Sequence, residues 1–330
     1  MNWEKWCLRI GAGAVVFALV IRLLGSGAVQ AVVATFSKPE TAAVLLFLET
    51  GRVLRPAPEE NSATETKPPV EPEEEKAVAV FAPEDARLVE VHSVCGYDTD
   101  LTGWLSTPLS WELKSKEPTV LIVHSHGTES YKKTESYNEY TTYRTRDNLY
   151  NVVSIGAEIK KVLEAGGISV IHDTTRHDDP SYSKAYSNSR KSIQKYLEKY
   201  PSIQMVLDIH RDSVENKDGK QVHLTAKAGD ETTAKLMLVV GTNVNLKHPD
   251  WPENMALAVK LHAQLEKNTP GICRPISFRK QRFNQDLSPG ALIVEVGSAG
   301  NTRQEALLAG RILAEGILDI SYGATTSSTS

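Results

Sequence analysis

Leu121-Ile122-Val123-His124-Ser125-His126-Gly127-Thr128-Glu129 runs an apolar stretch, short enough for a buried strand, straight into two histidines, a glycine and a glutamate. A strand end followed by His-x-x-Glu sets a nitrogen and an oxygen ligand at one sheet edge, where a third ligand from a neighbouring strand can complete a zinc site. Val206-Leu207-Asp208-Ile209-His210 is a second short apolar run ending in histidine. A third run, Ala291-Leu292-Ile293-Val294-Glu295-Val296, carries a glutamate where a carboxylate is costly unless it has a task or a partner.

Outward from these runs, strand and helix patterns alternate. Strands are expected at 119–123, 168–171, 205–209, 235–240 and 291–296, and helices at 149–163, 181–200, 255–265 and 303–317. Gly166-Gly167 stops the first helix and Pro201 the second. This order predicts an α/β fold, a mixed and largely parallel sheet with helices on both faces. Ligands in such sheets bind beyond the carboxyl ends of the strands, where both histidine runs end.

A net charge of -4 over 330 residues, with no dense Lys/Arg stripe, gives no sign of a nucleic-acid partner. Of the three cysteines, Cys7 lies in the apolar N-terminus, so a bridge in the body has only Cys95 and Cys273 to draw on, and nothing requires one. Lys5 and Arg9 precede an uncharged apolar run from Ile10 to Ile21. Residues 1–50 therefore read as a single-pass membrane anchor, with a cleaved signal peptide as the alternative. Either way the body works outside the cytoplasm. Residues 51–82, dense in Pro and Glu, read as an extended linker. Residues 83–323 are the expected catalytic domain, and 324–330 a disordered tail.

Zinc takes neutral imidazole and carboxylate ligands and keeps a position open for water. His126, Glu129 and His210 are the expected ligands, and Glu295 the base that accepts the water's proton and returns it to the leaving amine. His124 stands two residues from His126 and reads as a ligand, a partner to one, or a proton donor. Arg211 is a candidate for orienting substrate, and Asp212 for orienting a ligand. Blander roles compete: hydrogen-bonded scaffolding for the histidines, and an ion pair of Glu295 with Arg211 or Arg274. His172 and His177 read as rim or solvent residues. The Tyr-rich loop 131–150 and the polar loop 280–284 are candidate cleft walls.

At His124-Ser-His126-Gly-Thr-Glu129-Ser-Tyr131, Asp208-Ile-His210-Arg211-Asp212-Ser213 and Leu292-Ile-Val-Glu295-Val-Gly297 the chain resembles the stage II sporulation protein P family of endospore formers. The resemblance covers about residues 85–322. It implies kinship with zinc-dependent N-acetylmuramoyl-L-alanine amidases and a phosphorylase/hydrolase-like fold. It also implies cleavage of the amide between muramic acid and the stem peptide in peptidoglycan, with an added endopeptidase activity as an option. Membrane attachment between mother cell and forespore, and partnership with stage II sporulation proteins D and M during engulfment, are further implications. The broader amidases take a glutamate ligand from the start of the helix after the first strand, where this chain has Arg146-Asp147-Asn148-Leu149. The second ligand thus lies between Glu129 and Asp147. Two other readings stand beside this one. A zinc carboxypeptidase would need a carboxylate clamp from Arg144, Arg211 or Arg279, and a wall-binding scaffold would need none of the chemistry.

Overall fold

The computed structural model describes residues 81–322 apart from 110–111, 135–136, 138 and 140. The expected anchor, almost all of the linker and the expected tail lie outside the described residues, and no helix among the described residues is long and apolar enough to cross a membrane. In chain order the elements are β1 (Val91–Ser93), α1 (Leu101–Ser106), β2 (Val120–Val123), α2 (Val152–Ala165), β3 (Val170–His172), α3 (Ala185–Lys199), β4 (Met205–Asp212), β5 (Thr225–Ala228), β6 (Glu231–Ala234), β7 (Leu236–Val240), α4 (Trp251–Asn268), β8 (Ile276–Phe278), β9 (Gly290–Ser298) and α5 (Arg303–Tyr322). Each expected strand and helix is present. The segment expected to be one helix over 181–200 starts instead as a 3-10 turn, Tyr182–Lys184, before α3. The strands β1 and β8, three residues each, and the β5–β6 hairpin are too short for periodicity to reveal.

Seven strands form one sheet in the order β1-β8-β7-β9-β4-β2-β3. Its neighbours run parallel, except that β7 is antiparallel to β9. The exception follows from the connection. No helix carries the chain back after β4, so β7 enters from the edge where β4 ended and must run in reverse. Between β4 and β9 the register slips after His210, pairing His210 with Glu295 but Asp212 with Ser298. Gly297 takes up the extra residue at φ +71, where a Cβ would sit 2.9 Å from Asn301 Oδ1.

Side-chain alternation divides the sheet into two faces. Val120, Ile122, Leu207, Ile209, Leu292 and Val294 look into the larger core, shared with α2, α4 and α5. Leu121, Val123 and Val206 look the other way, where Ile193 of α3 covers them. Helices lie on both faces, but unequally. The part of the α3 face formed by β7, β8 and β1 borders an open groove.

His124 belongs to the larger core. Its Nδ1 is 3.0 Å from the Ile209 carbonyl, and its Nε2 is 2.8 Å from Nε2 of His172. α2 lies close over this pair because Gly156 has no Cβ; one would come within 2.7 Å of both Nε2 atoms. The rings are held by their bonds and cannot step aside. Gly156→Ala should therefore cost about 1–3 kcal/mol, as overpacking of a filled core does. Urea titration of the two proteins checks this, and a change below ~0.5 kcal/mol would show that the rings yield.

Candidate active site

β2 ends at Val123, and the chain turns through Ser125–Thr128 with the Glu129 N–H donating to the His126 carbonyl at 3.0 Å. Asp208 on β4 pins this turn, accepting from Ser125 N at 2.7 Å and Ser125 Oγ at 2.5 Å. Burial opposes the Asp208 charge, but His210 and the Ser125 bonds hold its pKa down at about 2. The turn carries His126 and Glu129 over the carboxyl end of β4. There His210 Nδ1 lies 3.5 Å from Glu129 Oε2, and the rings of His126 and His210 are 5.4 Å apart, edge to face. Glu295 lines the same cleft, which encloses about 1110 Å³. The four residues His126, Glu129, His210 and Glu295 are thus brought together.

Arg211 is turned to a different use from the one expected. It does not stand free for substrate. Its Nε donates to the Ser130 carbonyl and its Nη2 to the Tyr143 carbonyl, both at 2.9 Å, while Nη1 reaches Glu129 Oε1 at 3.4 Å. Arg144 adds a second cation 3.6 Å from the same oxygen. Burial resists a charge on Glu129, yet Arg211 and then His210 and His126 bring its pKa down to about 2. Glu295 has no such clamp. Arg211 serves Glu129, and Arg274 is paired with Asp212 at 2.6 Å, so neither expected ion pair with Glu295 forms. Burial pushes Glu295 up to about 8, with Glu129 and Asp212 adding to the effect against His210 and Arg211.

On the four residues brought together, His126 Nδ1, His210 Nε2 and Glu295 Oε2 are buried with no hydrogen-bond partner among the described residues. His210 Nε2 is 2.8 Å from Asp208 Oδ1 but off the line of a hydrogen bond, so that contact is one of charge. Burial pulls the His210 pKa down, but Asp208 foremost raises it well above its ordinary value, and the pocket favours positive charge at this point. Among the described residues no three His, Cys, Asp or Glu side chains close on one point as ready ligands. The donors nonetheless suit zinc in kind. The 3.5 Å between His210 and Glu129 is near the ~3.4 Å edge of a tetrahedron with ~2.1 Å bonds.

Other expected residues lie elsewhere. His124 is in the core and does not face the cleft: strand alternation ends at Val123, and the turn separates the directions of His124 and His126. Asp147 accepts from Leu149 N in a local turn and is absent from the cleft wall. Asp212 pairs with Arg274 and orients no ligand. His172 and His177 are not solvent residues, since His172 meets His124 and His177, 3% exposed, meets Asp173 at 3.2 Å. Cys95 and Cys273 are free thiols. Of the Tyr-rich loop, Tyr143 lines the cleft at φ +56, whereas Tyr131 is buried and donates to the Val296 carbonyl at 3.0 Å. Tyr140 lies outside the described residues.

The cleft wall also uses residues that the motifs did not reveal. Tyr182 stacks on His126 with centroids 4.2 Å apart, and Tyr186 lies flat to His210 at 6.2 Å. Their spacing of four, across the 3-10 turn into α3, is the one signal that could have marked them. Asp178 accepts from Thr128 Oγ1 at 2.5 Å and Arg144 Nη1 at 3.0 Å, fastening the loop after β3 against the ligand turn.

Arg211→Ala would strip Glu129 of its nearest cation and two buried carbonyls of their donor. Removing one partner of a buried pair costs about 3–5 kcal/mol. Arg211→Lys, with one point charge for three acceptors, should fall between alanine and wild type. Equilibrium unfolding of the three proteins decides; wild-type stability in the alanine variant would rule out the clamp.

A model of the stage II sporulation protein P family matches residues 49–318 of the chain. Stage II sporulation protein P of Bacillus subtilis (strain 168) is 29% identical over 197 residues, which are 56% of this chain and 47% of the relative. The chain thus spans about half the length of the curated relative it matches. Among solved structures, the CwlD amidase of Clostridioides difficile in complex with the GerS lipoprotein is 11% identical, covering 62% of this chain and 95% of that chain, with a TM-score of 0.39. The apo N-acetylmuramyl-L-alanine amidase Ami1 of Mycobacterium abscessus is 13% identical, covering 63% and 99%, with a TM-score of 0.37. Likenesses this distant carry no weight for function. On the family match, which takes in well over half of its residues, the chain belongs to the stage II sporulation protein P family.

Proposed function

We propose that the chain is a zinc-dependent peptidoglycan hydrolase of sporulation, an N-acetylmuramoyl-L-alanine amidase that cuts between muramic acid and the stem peptide. The observation that carries this reading is Glu295, a carboxylate with an unpartnered, sealed oxygen beside a cleft where two histidines and a clamped glutamate converge. Membership of the family supports the biological setting. The N-terminal 50 residues would tether the domain outside the cytoplasm, between mother cell and forespore, where stage II sporulation proteins D and M are the proposed partners.

His126, Glu129 and His210 would hold the zinc. When bound, zinc supplies Lewis-acid chemistry, activating a water and polarising the scissile carbonyl. The chain's own residues do the rest. Asp208 sets the His210 ring, and Arg211 with Arg144 keeps Glu129 ionised and in place. Burial makes Glu295 a ready proton acceptor, and a neighbouring cation would draw it back towards the ionised form needed to accept one. Glu295 takes the water's proton and delivers it to the departing amine. Tyr182 and Tyr186 wall the two histidine rings against solvent. Of the three arginines a carboxypeptidase could use as a carboxylate clamp, Arg144 and Arg211 are committed to Glu129, which leaves only Arg279 for that reading.

Incubating the full chain with sacculi, with and without chelator, tests the reading through the product ends seen by mass spectrometry. Intact stem peptides with a new free amino terminus, lost on chelation, are expected. Free terminal amino acids would indicate a carboxypeptidase instead, and the absence of products a scaffold.

His210→Ala should lose both zinc and activity, since one of three protein ligands is gone. Wild-type zinc content by plasma mass spectrometry would refute its role. Glu295→Gln should keep zinc while turnover drops about 100- to 10,000-fold, because the amide cannot accept a proton. Loss of metal in that variant would make Glu295 a ligand, and full activity would make it structural.

A further inference from the structure

Beside the main cleft, and sharing Glu295 and Asp212 with it, is a groove of about 530 Å³ on the sheet face that α3 leaves uncovered. Strand register builds its floor. Met237 of β7 pairs with Glu295, Val239 with Ser277 of β8, and Ser277 with His92 of β1, and all of these line the groove. Three strand steps of ~4.8 Å give a floor about 14 Å long, the length of about four extended residues. Met237 and Val239 put an apolar patch at its centre, between polar ends.

Apart from Glu295, which it shares with the cleft, its charges leave one cation over. Asp212 is matched by Arg274 at 2.6 Å. The guanidinium of Arg279, on the groove wall, has no hydrogen bond or ion pair among the described residues, unlike Arg144, Arg211 and Arg274. The groove therefore offers a free cation at a distance from the proposed proton acceptor. Phe283 divides it from the main cleft, lining the groove while its ring lies 5.6 Å from Tyr186 on the cleft side. Phe283 is held at φ +52, a left-handed backbone that is unfavourable for a bulky side chain and is found where local geometry serves a site.

We propose that this groove receives the peptide arm of the wall substrate, an extended acidic peptide of about four residues, with Arg279 taking its carboxylate while the glycan occupies the larger cleft. The inference rests on the hydrolase reading above and adds which part of the substrate lies where.

The test uses the full chain, with calorimetric binding of a synthetic acidic tetrapeptide and of the same peptide with its carboxyls amidated. Wild type should prefer the acidic form by about fivefold, the upper end for an ion pair at an exposed side chain such as Arg279. R279A should bind both forms equally, and R279K should recover part of the preference. In turnover of a muropeptide, R279A should raise KM about fivefold and leave kcat near wild type, a split that a merely structural arginine would not give. A wild type with no preference for the acidic peptide, or an R279A that keeps the preference, overturns the proposal. The parent reading fails separately: a wild type that binds the acidic peptide with the stated preference but cleaves no wall fragment keeps the groove and loses the hydrolase.

Discussion

A buried carboxylate, Asp208, joins the fold to the site. It sits within β4, flanked by β2 and β9, where burial alone would make a negative charge prohibitive. Its oxygens are occupied by Ser125 on one side and face His210 on the other. The turn that carries His126 and Glu129, and the ring of His210, thus depend on one group. The clamp on Glu129 by Arg211 completes the arrangement, because the same guanidinium also holds Ser130 and Tyr143. The charges of Asp208 and Glu129 are tolerated in this interior because each is met by partners placed before any ligand arrives.

Much of the fold could be read from the chain, for a physical reason. β2, β4 and β9 are buried on both faces, so each appears as a mainly apolar run, and each run ends or breaks at a polar residue of the cleft or of the turn beside it. His126, His210 and Glu295 were visible on that ground. Period-two alternation misled at His124, because the strand ends one residue earlier and the turn redirects the chain. Arg211 was visible as a neighbour of the site but not as its brace, since its partners are backbone carbonyls from another segment. Tyr182 and Asp178 act through contacts between loops distant in sequence, which no local pattern encodes. The edge strands β1 and β8 have three residues each and owe their existence to the sheet they extend.

Uneven helix cover shapes the surface around the site. Three long helices bury one face of the sheet, whereas α3 protects only the β2–β4 side of the other. The reversal at β7 contributes, because the chain passes from β4 to β7 without a crossover helix, and α4, which follows β7, packs on the opposite face. The open half-face follows from the connectivity, and it lies next to Glu295.

The contact between His124 and His172 has a consequence for where protons reside. A carbonyl only accepts, so His124 must carry hydrogen on Nδ1 to meet Ile209, and burial, with His172 adding, depresses its pKa to about 3. Its Nε2 is then bare and can only accept, so His172 must donate from Nε2 and leave its own Nδ1 empty. One main-chain oxygen on β4 thereby dictates the tautomers of two rings, one just past the end of β2 and one on β3. A proton added to His124 would set two N–H groups against each other across 2.8 Å, directly beneath the bare backbone of Gly156. Unfolded histidines accept protons near pH 6.5, whereas burial holds the pair down at about 3 and 4, so acid between those limits favours the unfolded chain. The seam between α2 and the sheet is therefore a part of the core that acid loosens.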